Sequence, residues 1–171
     1  DEQTDRTMEL YKLTNAIKKE ENLPVDYLNS KSEGVIWGEG SSFFVLGKEK
    51  TENSYAKLKD IKIINSLELN ETQQFIEDFL VKNKLKNEEL DAVIFGFSGD
   101  SASDVYYKNA SELFPNSSLL YYKHLSGEYN TASGFSTFMA CKILKNQEIP
   151  EVMKINDVKR ENIQNILLYN H

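Results

Sequence analysis

One cysteine, three prolines and two histidines in 171 residues are the scarcities that bound what this chain can do. A lone Cys141 excludes an intrachain disulfide and a multi-cysteine zinc site within this sequence, and no metal or cofactor is expected. It stands in the apolar helical stretch "FSTFMACKILKN", which reads as packing rather than as a nucleophile. With so few prolines and only eight glycines, fibrous and low-complexity architectures are excluded. No run approaches the ~20 apolar residues that cross a bilayer, so no membrane partner is expected. Positive charge is in deficit: 20 Lys and Arg against 27 Asp and Glu leave −7, and the lysines are scattered among glutamates. Duplex binding draws on clustered cations, so no nucleic-acid partner is expected either. The opening "DEQTD" is acidic where a secretory signal is basic, which points to a reducing cytoplasm.

What is present is ordinary for a compact globular domain: 40% hydrophobic and 27% charged residues. Leu10, Leu13 and Ile17 at helical spacing predict a helix over 7–21, with Pro24 just past its end and a polar connector over 22–31. Glycines 34, 38 and 40 flank the apolar run 43–46, which reads as a buried strand. "YAKLKDIKIINS" from Tyr55 reads as a second strand, with a bulge near Asp60. Phe75, Ile76, Phe79 and Leu80 share one face of a helix over 71–85. "LDAVIFGF" is a nearly continuous apolar strand of the kind buried in a parallel sheet. Helices over 103–114 and 130–145, and strands over 119–122 and in the closing "NIQNILLYNH", complete an α/β layering.

Four stretches, in order, resemble the C-terminal part of β-ketoacyl-acyl-carrier-protein synthases, condensing enzymes of the thiolase-like superfamily. "GEGSSFFVLGKEK" (38–50) looks like the family's "GEGAGVLVLE" strand. "LDAVIFGFSGDSASD" (90–104) looks like its "VDYINAHGTSTPLND" strand and loop. "KHLSGEYNTASG" (123–134) looks like "KSMTGHLLGAAG", and "LKNQEIPE" (144–151) resembles "LRDQVVPP". The resemblance implies a thiolase-like fold with a mixed, five-stranded type of sheet layered with helices. Residues 1–50 would end the N-terminal half and 51–171 would form the C-terminal half. It implies too that the first half, with the nucleophilic cysteine, is not in these residues.

In that family two neutral imidazoles stabilise the oxyanion and enolate of a decarboxylative condensation, and a lysine organises the charge nearby. Carried onto this sequence, the first histidine falls on Gly96, or on Phe97 with a one-residue slip, and the second on Glu128. An ionised carboxylate only accepts hydrogen bonds. At ~4 Å and an effective dielectric near ~20 it would oppose an enolate by about 4 kcal/mol. The lysine remains as Lys123, with Gly127 and Gly134 as retained turn residues, while the family's "GFGGTN" loop aligns on "VKRENIQN" (158–165). No catalytic set is intact.

Plain roles compete for each residue. Lys123 reads as a structural cation paired with Glu128, and Glu128 is favoured near a helix N-terminus by the dipole. His124 reads as a surface or satisfied histidine and His171 as frayed. Ser98, Asp100 and Ser101 read as turn and capping residues. Tyr106, Tyr107, Tyr121 and Tyr122 read as packing. The resemblance implies a degenerate synthase homologue, similar to chain-length factors, that pairs with an active ketosynthase subunit or with itself and can meet an acyl carrier protein. The alternatives are an active synthase whose nucleophile lies in another half, with His124 replacing an imidazole, and a scaffold domain that binds no acyl chain, its pocket filled by Phe97 and Phe135.

Overall fold

The computed structural model describes residues 4–19 and 26–171. Its centre is a three-stranded parallel sheet of order β2-β1-β3, with β1 Ala92–Phe95, β2 Ser118–Tyr121 and β3 Ile166–Tyr169. All four residues of β1 are buried, as the continuous apolar run requires of a strand covered on both faces. The period of two divides them: Val93 and Phe95 face one core cluster, Ala92 and Ile94 the other.

Parallel neighbours need crossovers, and helices supply them. Helices α2 (Thr72–Lys82) and α3 (Asp104–Ser111) close the first face through Ile76, Leu80, Tyr107 and Ala110. Helix α5 (Ala132–Asn146) closes the second through Ala140 and Ile143, against Leu120 and Met153. Its small residues let it lie close to the sheet, and Gln147, at φ 58°, ends it in the left-handed region. A single turn, α4 (Lys123–Ser126), follows β2 directly.

The C-terminal elements therefore match expectation to within a few residues, and the molecule is α/β. The N-terminal third does not match. Helix α1 runs only over Asp5–Leu13, capped by Thr4, and Leu10 and Leu13 are 55% and 80% exposed. The chain turns at Asn15 (φ 55°), and Ile17 makes an isolated parallel bridge with Val35 instead of continuing the helix. Residues 20 and 21 and Pro24 lie outside the described residues.

Residues 43–46 and 55–66 belong to no strand or helix among the described residues. Phe43 is 93% exposed and Ile63 84%, so neither run is the buried strand expected from its apolar pattern. No bulge forms at Asp60; its carboxylate instead holds Lys82 at 2.7 Å and Asn83 at 3.0 Å, at the end of α2. A strand needs a neighbour, and these runs have none among the described residues. Among those residues the sheet is three-stranded and wholly parallel, where the resemblance implies a mixed sheet of five. Among the described residues, no helix is long and apolar enough to cross a membrane.

Candidate functional site

Parallel register aligns the last residues of the strands, Phe95, Tyr121 and Tyr169. The residues that follow them, Gly96, Tyr122 and Lys123, and Asn170 and His171, thus meet beyond the carboxyl ends of the sheet, the place where open α/β sheets bind ligands. Lys123 opens α4 and is only 2% exposed. Its ammonium forms an ion pair with the Glu128 carboxylate. A buried cation of this kind is tolerable only with such a partner, and removing the partner strands the charge.

Gly96 forms one wall. A Cβ there would lie 2.2 Å from Asn170 Oδ1, 2.7 Å from Tyr107 Oη and 3.1 Å from Lys123 Nζ. The position that aligned with a catalytic histidine is therefore occupied by three polar groups from other elements. Asn170 Oδ1 accepts the Tyr122 hydroxyl at 3.2 Å. The Tyr107 hydroxyl donates to the His171 carbonyl and accepts from the His171 amide, both at 3.0 Å. Burial pushes the Tyr107 and Tyr122 hydroxyls well above their usual range, and the Glu128 charge adds to this, so both stay neutral.

Glu128 is positioned by its backbone. Its amide donates to Ile36 O and its carbonyl accepts from Gly38 N, each at 2.9 Å. Gly38 and Gly127 make this approach possible: a Cβ on Gly38 would sit 2.2 Å from Ser126 O, and Gly127 holds φ +70° with Gly38 N 2.7 Å from where its Cβ would be. Two motif stretches far apart in sequence are thus joined edge to edge. Gly134, read as a turn residue, instead lies inside the first turn of α5, against Ser42.

The charges alternate outward from the lysine. Asp104 is 3% exposed and accepts the amides of Ser98 at 3.0 Å and Gly99 at 2.9 Å. Burial raises its carboxyl to about 6, against the pull of those amides and of Lys123. Asp100 accepts from Gly34 N at 3.0 Å and Ser103 Oγ at 2.6 Å, which fixes the loop after β1 as a turn. Lys18, 7% exposed, is held by Ser32 Oγ at 2.7 Å and Ser32 O at 2.9 Å, with Asp100 and Asp104 opposing the downward effect of burial on its pKa. A cleft of about 330 Å³ opens on the outer side of Glu128, between Gly34, Trp37 and Asp100.

The histidines exchange roles. His124 turns away: its ring stacks on Tyr121 at 3.8 Å, Nε2 meets Val152 O at 2.8 Å, and Nδ1 is buried without a partner among the described residues. His171 is not frayed. Its backbone is clasped by Tyr107, its ring lies on Tyr106 at 3.5 Å, and burial and the Lys123 charge lower its pKa. Residues 158–165 correspond to no pocket floor. They run into the amino end of β3, where the Gln164 and Asn165 amides bind Asp91 beside the start of β1, at the far end of the sheet from Lys123. Phe97 is buried in the core with Phe95 and Tyr107, and Phe135 is partly buried against the other core cluster.

The structure brings Gly96, Lys123 and Glu128 to one place, with Tyr107 and Asn170 beside them and Asp104 and Lys18 nearby, none of which the sequence singled out for a site. Nothing in their local patterns sets them apart; only strand register could have paired residue 170 with residue 96. No grouping of three or more His, Cys, Asp or Glu side chains that could hold a metal ion occurs among the described residues. No family model, curated protein or solved structure matches this chain.

Proposed function

We propose that this chain is the C-terminal half of a catalytically degenerate β-ketoacyl synthase relative, with a thiolase-like fold, acting as a non-catalytic partner subunit in acyl chain elongation. The observation that carries the reading is the closure of the lysine site. Its ammonium is neutralised by Glu128, and the Gly96 wall is filled by Asn170 and Tyr107. Condensation requires donors aimed at a developing oxyanion. Here Glu128 presents an acceptor, and the Tyr107 and Tyr122 hydroxyls are engaged within the protein. An active ketosynthase is the proposed partner, with an acyl carrier protein visiting the pair.

One observation favours a working synthase instead: His171, not His124, brings an imidazole within the influence of the Lys123 charge. A single reconstitution separates the two. The chain, joined to an N-terminal half that supplies the nucleophilic cysteine, is incubated with acyl- and malonyl-loaded carrier protein, with and without an active ketosynthase. The first reading expects no condensation without the synthase, and products of altered length when it is added. Condensation without the synthase that is lost in His171→Ala would establish the second. Products unchanged in length, with no complex formed, would discard the partner role.

A further inference from the structure

Lysines that look scattered along the sequence gather in the fold. Two short runs, "KLKDIK" (57–62) and "KNKLK" (82–86), hold six of the chain's 20 cations and one of its 27 acids. Side chains tie the two runs into one face. The Asp60 carboxylate holds Lys82 Nζ at 2.7 Å and accepts from Asn83 Nδ2 at 3.0 Å. Lys62 Nζ donates to Phe75 O at 3.3 Å and lies 4.0 Å from the centre of the Phe75 ring, so the first run lies along α2. Lys59 Nζ reaches Asn165 Oδ1 at 2.7 Å.

All six lysines are exposed, and the ammoniums of Lys57, Lys84 and Lys86 have no partner among the described residues. Aliphatic side chains stand between the cations: Leu58, Ile61 and Ile63 are 66%, 62% and 84% exposed, and Val81 is 74% exposed. Every cation of the face is lysine. Protein–protein contacts favour the planar fork of arginine and are depleted in lysine, whose ammonium is a hydrated point charge suited to a diffuse layer of anions. A nucleic-acid duplex would meet the charge and leave the four aliphatic groups in water. An anionic bilayer surface meets both, because its headgroups receive the ammoniums and the boundary below them receives the aliphatic side chains.

We propose that this face docks the chain on membranes that carry anionic phospholipid. Six clustered lysines fall within the roughly four to eight cations that such surface binding uses. No helix among the described residues is long and apolar enough to cross a bilayer, which excludes a spanning helix but not a helix-free contact with the bilayer surface. The net charge of −7 does not oppose the contact, since charges more than about 10 Å from it are screened at about 0.1 M salt. Nothing in the face depends on acyl chemistry.

Vesicle co-sedimentation of the full chain tests it, with phosphatidylcholine vesicles that carry about 30% phosphatidylserine compared with phosphatidylcholine alone at low salt. The partition coefficient should be about tenfold or more higher on the anionic vesicles, and about 0.5 M salt should abolish most of that difference. Lys84→Gln combined with Lys86→Gln should lower partition to the anionic vesicles about tenfold or more. Ile63→Ser changes a group already in water, so the far-UV circular dichroism should hold while partition falls about threefold or more. Lys12→Gln combined with Lys31→Gln, at lysines exposed elsewhere, should leave partition unchanged. Equal partition to both vesicles, indifference to salt or to either patch variant, an equal loss from the Lys12 and Lys31 pair, or binding to polyglutamate or duplex DNA in preference to the anionic vesicles would overturn the proposal.

Discussion

Residues 90–122 and residues 41–64 are both rich in branched and aromatic side chains, yet they end in opposite environments. In the first region Val93, Phe95 and Leu120 are wholly buried; in the second Val45 is wholly exposed and Ile63 nearly so. Composition does not separate them. The first region has strand partners on either side of β1 and helices on both faces, whereas the second has neither among the described residues. An apolar run stabilises a fold only where something else removes it from water, and the same pattern without a neighbour is an invitation to associate.

The sharpest way to break this comparison is to remove Lys123, the ammonium buried just past the first region. Lys123→Ala leaves Glu128 without its counter-ion and opens a void beside Gly96, so urea denaturation should show a loss of about 3–5 kcal/mol. A conserved midpoint would mean that the pair is an ornament. Next, Leu120→Ala should cost about 2–5 kcal/mol, while Ile63→Ala should stay within about 0.5 kcal/mol. Equal costs would erase the distinction between the two regions.

Asp104 sharpens it through pH. Burial raises its folded carboxyl to about 6, above the ordinary 3.8, so between those values the folded state binds more protons than the unfolded state. Stability should therefore fall as pH rises from about 4 to about 6 and level off above, by up to about 3 kcal/mol. Asp104→Asn should flatten that slope, as thermal melts across the range would show; a slope unchanged in the variant would remove Asp104 as its source. The smallest effect is expected at Gly134→Ala. The added methyl meets Ser42 at 3.0 Å but gains helix propensity, so the midpoint should move by under about 1 kcal/mol.

Much of the C-terminal fold was legible because burial on both faces leaves its trace in the chain itself. "LDAVIFGF" could be little other than a central strand, and the spacing of Ile76 and Leu80 marks a helix face. Lys123 and Glu128 were legible as a candidate pair because only five positions separate them, whereas the backbone bonds from Glu128 to Ile36 and Gly38 that hold the carboxylate in place were not. Gly96 was singled out only by the motif resemblance. What it touches was not, because Tyr107 and Asn170 arrive from α3 and from beyond β3, and contact between them depends on parallel register. His171 was misjudged for the same reason: chain position suggested fraying, whereas the Tyr107 hydroxyl clasps its backbone.

By itself, the sequence determined the alternation of apolar segments and the excess of acid, since both are properties of the chain taken a few positions at a time. The tertiary structure alone decided which apolar runs became strands, which side chains wall the lysine, and which edge of the sheet was left open. Hydrogen-bonded register and burial are relations between distant segments, and the local pattern of either segment holds no record of whether its counterpart is there.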